Sequence, residues 1–209
     1  KHKEKIFNLE TAPIDFDWYK GGVKGQEVLA IGCTDGSFVL ATGAKRIDTK
    51  VSEAHEGAVI SIKWSYDGAA LATAGEDGLI KLWSKSGVYR STLVNGNTPI
   101  YCIVWSPDNN ILYCSEKNLH IQPTTPGKKA THWKAHDGIV LCVDWSPANN
   151  LIISAGEDCK YRVWDSYGRQ LYCSAAYDHV ITSIKWCPNG EVFAVGAFEM
   201  IRLCDKSGW

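Results

Sequence analysis

Two stretches of this chain repeat one another: AGEDGLIKLWSKSG at Ala74–Gly87 and AGEDCKYRVWDSYG at Ala155–Gly168, which start 81 residues apart. Each begins with an acidic turn, continues with a short alternating run that ends in Trp, and closes on a glycine turn. Alternation of apolar and polar residues with a period of two is typical of a half-buried β-strand. Two such copies indicate an internal repeat, and a repeat of this length decides the architecture.

Tryptophan residues give the period of the repeat, because successive copies are separated by 46, 41, 40 and 41 residues. The alternating runs PIDFDW, VISIKW, YCIVW, VLCVDW and ITSIKW end at Trp18, Trp64, Trp105, Trp145 and Trp186. Turn-forming segments such as SYDG and CPNG lead to a second strand, an acidic turn to a third, and a more polar fourth strand closes the period. Four strands in about 41 residues, without helical periodicity, predict an all-β fold of β-propeller blades.

Polar residues recur at fixed intervals in two of these predicted blades. His55 precedes Trp64, Asp77 and Trp83 by 9, 22 and 28 residues. The same intervals separate His136 from Trp145, Asp158 and Trp164, while Thr73 and Ser154 occupy matching places in the second strand. The pattern resembles the WD40 proteins, and the resemblance implies that His, hydroxyl, Asp and Trp form one hydrogen-bonded chain in each blade. The two predicted structural tetrads are His55, Thr73, Asp77 and Trp83, and His136, Ser154, Asp158 and Trp164.

The other three predicted blades lack a complete tetrad. The third has Gly96 at the His position and Gln122 near the Trp position, and the first keeps Asp35 alone. The fifth has Tyr177, Phe198 and Cys204 in place of His, Asp and Trp. Approximate blade boundaries are 10–51, 52–94, 95–133, 134–174 and 175–209, with KIFNL at 5–9 as the last strand of a preceding blade.

The number of blades in the complete propeller has two interpretations. A five-bladed ring could be closed by pairing the N-terminal strand into the last blade, since propellers have four to eight blades. Alternatively, the five blades are part of a larger propeller of seven. The first residue is not Met, and the ending DKSGW stops in the middle of the motif seen at WSKSG. Both features favour the seven-bladed interpretation.

Composition narrows the class of protein. With 22 basic and 23 acidic side chains the net charge is −1, so no global field would hold nucleic acid or an acidic membrane face. No signal peptide and no run of about 20 apolar residues is present, which predicts a soluble intracellular protein. The eight cysteines include no C-x-x-C pair and lie mostly in apolar runs, so we expect buried thiols rather than disulfides.

The sequence predicts no catalytic, cofactor-binding or metal-binding residue. His132 and His136 have an H-x-x-x-H spacing, but the tetrad explains His136 and no further ligand lies at zinc spacing. The GGVKG segment at 21–25 lacks the P-loop pattern and is interpreted as a loop. Glu76 and Glu157 are either solvated turn residues or one side of a partner-binding rim.

A closer resemblance lies in the amino-acid sequence of the second to fifth predicted blades. The phrases GEDCKYRVWDSYGR, AGEDGLIKLWSKSGVYRSTL and FAVG followed by IRLCDKSGW are similar to the N-terminal propeller of the intraflagellar transport protein 80 family. The resemblance implies a non-enzymatic scaffold in complex B of intraflagellar transport, located at the ciliary base, on the axoneme and in a cytoplasmic pool. Implied partners are other complex B subunits, including one with a calponin-homology domain, and no nucleic acid, membrane insertion or cofactor.

Two alternatives stay open from the sequence alone. A WD40 adaptor of another pathway, such as a ubiquitin-ligase substrate receptor or a chromatin reader, would carry the same repeats. A propeller hydrolase with acids or a metal in its central channel is the alternative from a different class, because fold alone does not fix function.

Overall fold

The computed structural model describes residues 8–19, 27–43 and 46–209. These residues form strands and turns, and no helix occurs within the described ranges. In that part of the chain there is accordingly no helix long and apolar enough to cross a membrane. Five antiparallel sheets form, of which four have four strands, so the prediction of an all-β chain of propeller blades is confirmed. The chain divides into two compact units, Lys1–Ile100 and Tyr101–Trp209.

The first unit holds two sheets whose strands are hydrogen-bonded in chain order. Sheet 1 consists of β1 (Pro13–Tyr19), β2 (Val28–Cys33), β3 (Phe38–Thr42) and β4 (Arg46–Val51). Sheet 2 consists of β5 (Val59–Trp64), β6 (Ala70–Gly75), β7 (Leu79–Ser84) and β8 (Tyr89–Asn95). Because successive strands pair directly, each sheet is a meander that needs only short connections.

The second unit holds three sheets built in the same way. Sheet 3 consists of β9 (Ile103–Trp105), β10 (Ile111–Ser115), β11 (Asn118–Gln122) and β12 (Thr131–Lys134). Sheet 4 consists of β13 (Val140–Trp145), β14 (Ile152–Gly156), β15 (Tyr161–Trp164) and β16 (Gln170–Cys173). Sheet 5 has the three strands β17 (Ile181–Trp186), β18 (Val192–Ala197) and β19 (Met200–Asp205).

Within each unit, the apolar residues of a first strand pack on the sheet before it. Ile62 and Trp64 of β5 share a buried cluster with Phe38 and Leu40 of sheet 1. In the second unit Ile184 and Trp186 of β17 belong to a buried cluster with Tyr161 and Val163 of sheet 4. The middle strands β6 and β14 are buried along almost their whole length, which agrees with their small and apolar sequences ALATAG and IISAG. The fourth strands are more exposed and more polar.

Some sequence-based expectations have a different outcome. The strand predicted from YCIVW begins at Ile103 in the structure, with Tyr101 exposed and outside the strand, although the carbonyl of Cys102 accepts a bond from Cys114 N. Residues 5–7 and the GGVKG segment lie outside the described residues, and Asn8 and Leu9 are not in a strand. The eight cysteines, all within the described ranges, are thiols; four are buried and four are partly exposed.

Candidate functional site

The first tetrad joins the loop before β5 to the two middle strands of sheet 2. His55 Nδ1 lies 2.9 Å from Asp77 Oδ1, and His55 Nε2 lies 2.7 Å from Thr73 Oγ1. The indole Nε1 of Trp83 donates to the same Thr73 oxygen at 2.8 Å. Asp77 also accepts from the backbone N–H groups of Glu56 and Leu79. One carboxylate therefore holds the loop, the turn and the histidine together.

The order of donors fixes the tautomer of His55. Because the ionised carboxylate of Asp77 can only accept, His55 Nδ1 carries a proton and donates it to Asp77. Nε2 of the neutral ring then accepts the proton of Thr73 Oγ1, and the same oxygen accepts from Trp83 Nε1. Burial lowers the pKa of His55 below 6.5, which agrees with a neutral imidazole. Burial alone would raise the pKa of Asp77, but its hydrogen bonds outweigh that effect and lower it below 3.8.

The second tetrad repeats this geometry in sheet 4. His136 Nδ1 lies 2.8 Å from Asp158 Oδ1, and His136 Nε2 lies 2.7 Å from Ser154 Oγ, which accepts from Trp164 Nε1 at 2.9 Å. The structure thus brings all eight predicted tetrad residues into two separate chains of hydrogen bonds. Burial also lowers the pKa of His136 below 6.5.

A fifth residue, Arg162, which the sequence did not predict, is hydrogen-bonded to the second tetrad. Arg162 Nη1 donates to Asp158 Oδ2 at 2.8 Å and lies against Nδ1 of His136, and its side chain is 9% exposed. Burial would raise the pKa of Asp158, yet the bonds from Arg162 and His136 lower it to about 2. The matching residue of sheet 2 is Lys81, whose ammonium donates to the carbonyl of Ala54 instead. A basic residue four places after each tetrad Asp was the available signal.

Glu76 and Glu157 occupy equivalent positions on exposed turns and perform the same local task. Glu76 Oε2 accepts from the backbone N–H of Ala58 at 3.2 Å, and Glu157 Oε2 accepts from Ile139 N at 3.1 Å. Each carboxylate therefore supports the loop that enters the first strand of its sheet. A Cβ added at Gly57 would lie 2.7 Å from Glu76 Oε2, so the loop and the carboxylate are closely fitted.

The incomplete tetrad positions are filled by other contacts. Asp35 accepts from Ser37 Oγ at 2.6 Å, and Gly96 N donates to the carbonyl of Gly78. In sheet 3 Gln122 Nε2 donates to the carbonyl of Pro123.

The three tetrad positions of the fifth blade also have other contacts. The hydroxyl of Tyr177 accepts from Arg202, and Phe198 is exposed. The buried Cys204 Sγ donates to the hydroxyl of Tyr161 at 3.3 Å. This last contact joins β19 to β15 of the neighbouring sheet, and the contacts at the incomplete positions are made in different sheets rather than at one shared site.

A half-buried aspartate in the first unit and a buried one in the second connect neighbouring sheets. Asp17 Oδ2 accepts from the backbone N–H of Trp64 at 2.8 Å, and Asp144 Oδ2 accepts from that of Trp186 at 2.7 Å. Lys185 Nζ lies 2.7 Å from Asp144 Oδ1. The sequence signal for these contacts is Asp before the Trp of one sheet and Lys before the Trp of the next, and it was missed.

The tetrads and the two aspartates hydrogen-bond strands and turns of the sheets to one another. No group of three or more His, Cys, Asp or Glu side chains with metal-binding geometry occurs among residues 8–19, 27–43 and 46–209. His132 lies on β12, where its ring stacks on that of His120 at 5.5 Å between centroids. The polar groups of both tetrads are occupied by one another, which leaves loops and exposed strands as the surface for contacts.

Comparison with known proteins agrees with this geometry. The chain is 52% identical over 203 residues to the Intraflagellar transport protein 80 homolog of Mus musculus and 51% identical over 203 residues to that of Rattus norvegicus. Both alignments cover 94% of this chain and 26% of the relative, so the chain spans about a quarter of their length. It is also 26% identical over 178 residues to the pre-mRNA-splicing factor cwf17 of Schizosaccharomyces pombe, covering 82% of this chain and 52% of that protein.

Three segments, residues 46–84, 87–121 and 127–165, match the family described as "WD domain, G-beta repeat". The first and third segments each contain one complete tetrad. Since the matched segments make up more than half of the residues and the strands form four-stranded antiparallel sheets, the chain belongs to the WD40 family of β-propeller proteins.

Proposed function

We propose that this chain is part of a non-enzymatic scaffold subunit of intraflagellar transport complex B, which acts in cilium assembly and anterograde ciliary transport. The observation that carries the proposal is the 52% identity, over 94% of the chain, to a protein named for intraflagellar transport. A splicing factor is 26% identical, which indicates the level of sequence identity that a shared WD40 pattern produces without a shared pathway. The difference between the two favours the ciliary pathway over another WD40 adaptor.

The proposed partners are other complex B subunits, including one with a calponin-homology domain. The proposed locations are the ciliary base and the axoneme, with a cytoplasmic pool. A scaffold role is supported by the chemistry of the two tetrads, in which His, hydroxyl, Asp and Trp satisfy one another. The histidine and the hydroxyl residue of each tetrad are also buried, so a substrate cannot come within hydrogen-bonding distance of them while the sheet is folded.

Affinity purification of the full-length protein from ciliated cells, followed by mass spectrometry, tests this proposal. We expect complex B subunits in nearly equal amounts. Recovery of ubiquitin-ligase or nuclear subunits instead would move the protein to another adaptor class. Stoichiometric metal in the purified protein, or a hydrolase activity that is lost on mutating carboxylates of a central channel, would favour the enzymatic alternative.

Glu76 and Glu157 are proposed to contribute to a partner-binding rim. Both are exposed on turns, and the side chain of each accepts a backbone N–H at Oε2. Glu76→Gln and Glu157→Gln keep an oxygen that can accept this bond but remove the charge. We expect weaker partner capture with unchanged thermal stability. Unchanged capture by the double variant would assign both residues to the loops alone.

We further propose that the five sheets, with approximate blade boundaries 10–51, 52–94, 95–133, 134–174 and 175–209, are part of a seven-bladed propeller. Support comes from β19, where Ile201 and Leu203 are 81% and 71% exposed. Their counterparts in β15, Tyr161 and Val163, are fully buried under sheet 5. A structure of the full-length protein in which Ile201 and Leu203 remain in solvent would contradict the proposal.

A further inference from the structure

The connection between β11 and β12 carries a Ser/Thr-Pro sequence that differs from the others in this chain. Four such dipeptides occur, beginning at Thr98, Ser106, Thr125 and Ser146. Three of them are followed at the third position by Tyr or Asn, whereas Thr125 is followed by Pro126, Gly127 and Lys128. Thr125 alone thus has the Thr-Pro-x-Lys order.

Accessibility separates the four hydroxyl residues further. Ser106 and Ser146 are 1% and 0% exposed, and their hydroxyl oxygens accept backbone N–H groups in their turns, that of Asn110 and those of Ala148 and Asn149. Thr98 is half-buried, whereas Thr125 is exposed together with the whole segment 125–130. A protein kinase needs to enclose the acceptor residue and its neighbours, so only the segment around Thr125 presents an accessible acceptor.

The backbone of this connection is held loosely and extends into solvent. It spans residues 123–130, between the end of β11 at Gln122 and the start of β12 at Thr131. Its anchor is the hydroxyl of Thr124, which donates to the carbonyl of Asn109 at 2.7 Å. The turn bond from Lys128 N to Thr125 O is long, at 3.5 Å, and a Cβ added at Gly127 would meet nothing within 4 Å. The segment can therefore be drawn into a cleft at the expense of one weak backbone bond.

The residues around Thr125 suit a particular class of enzyme. Pro126 restricts Thr125 to extended backbone, which is the conformation a peptide needs to lie across an active-site cleft. Pro126 also has no N–H, so an apolar pocket that offers no acceptor receives it without leaving a donor unsatisfied. Lys128 can form a charge-assisted bond to an anionic group on the kinase.

We propose that Thr125 is a phosphorylation site for a proline-directed serine/threonine protein kinase that also selects a basic residue three positions further on. Thr125 Oγ1 attacks the γ-phosphorus of ATP, the bond from that phosphorus to the β,γ-bridging oxygen breaks, and ADP leaves. The hydroxyl proton passes to the catalytic carboxylate of the kinase. The phosphate adds a charge of about −1.5 to −2 at pH 7 beside Lys128 and Lys129, so a basic loop becomes nearly neutral.

The test is phosphorylation of the folded chain by a purified cyclin-dependent kinase with its cyclin, with the phosphate located by fragmentation mass spectrometry. We expect one phosphate on Thr125 and none on Ser106 or Ser146. Thr125→Ala should abolish incorporation without changing the melting temperature. Lys128→Ala should lower kcat/KM about tenfold through loss of a charge-assisted bond, while the matched control Lys129→Ala changes it less than about twofold.

A synthetic peptide of residues 120–132 separates the sequence signal from the fold. Phosphorylation of both the peptide and the folded chain at Thr125 supports the proposal. If only the peptide is phosphorylated, the loop is closed in the protein and the proposal is wrong. Phosphate on Ser106 or Ser146 of the folded chain, or an unchanged kcat/KM in Lys128→Ala, contradicts it equally.

Discussion

Asp144 of β13 accepts a hydrogen bond from the backbone N–H of Trp186 in β17 at 2.7 Å, and this bond joins two adjacent sheets. The Asp144 side chain is 6% exposed, while its second partner, Lys185, is 74% exposed. A buried carboxylate bonded to a backbone donor contributes more than an exposed ammonium in the same cluster. The buried bond to the Trp186 backbone therefore contributes more to stability than the exposed ion pair with Lys185.

Asp144→Ala should lower the free energy of unfolding by about 2 kcal/mol, because it leaves the N–H of Trp186 without its acceptor. Lys185→Ala should lower it by no more than about 0.5 kcal/mol, since the ammonium is largely solvated. Urea denaturation of both variants measures the difference. Equal losses would show that the ion pair, and not the backbone bond, joins the sheets.

The two tetrads should respond unequally to loss of their carboxylates. Asp77→Ala removes the partner of a neutral histidine, and we expect a loss of about 2 kcal/mol. Asp158→Ala also leaves the buried guanidinium of Arg162 without its anion, and we expect about 3 kcal/mol or more. Denaturant midpoints give both values. The double change Asp158→Ala with Arg162→Met should recover part of the loss, and a further loss would contradict the assigned role of Arg162.

Acid should destabilise the chain in two successive windows. His55 and His136 have folded pKa values below 6.5, so the unfolded chain binds protons first and stability falls as the pH drops below 6.5. Asp158, with a folded pKa of about 2 against 3.8, adds stability above pH 3.8 that is lost as the pH falls toward 2. Urea midpoints from about pH 8 to about pH 2 test this. Asp158→Asn should flatten the lower window, and an unchanged profile would argue against it.

Cys159 stands in a left-handed backbone conformation, with φ of 59°, where the equivalent turn of sheet 2 has Gly78 with φ of 75°. A side chain in this region costs about 1–2 kcal/mol, partly offset by the lower flexibility of the unfolded chain. Cys159→Gly should therefore raise the free energy of unfolding by about 0.5–1 kcal/mol. Thermal melting measures the gain.

The reverse change, Gly78→Cys, is the matched control for the turn. Its Cβ would lie 2.8 Å from the carbonyl oxygen of Gly96, so we expect a loss larger than the gain at Cys159. A neutral result at Gly78 would mean that the turn adapts its backbone to the residue it holds.

Sequence repetition was sufficient to predict the sheets and the residues of both tetrads, because all four side chains of a tetrad lie within one period. Repetition did not identify Arg162, because the basic residues at this position have different partners in the two copies. Arg162 binds the tetrad carboxylate, whereas Lys81 binds a backbone carbonyl. Asp144 was missed for another reason: its partner, Trp186, lies in the next sheet, and no interval within one repeat contains that contact. Glu157 was placed on the correct turn, but its bond to Ile139 N depends on backbone geometry that residue types do not specify.

Each tetrad takes its histidine, hydroxyl, carboxylate and indole from a single sheet and the loops of that sheet. The two networks share no hydrogen-bonding partner, so the losses caused by changes in both should simply add. In such a repeat protein, substitutions can replace the tetrad of one sheet by apolar or aromatic contacts. The hydrogen bonds of the other tetrad stay intact. Sheets 1, 3 and 5, which lack the tetrad, are examples of that freedom within one chain.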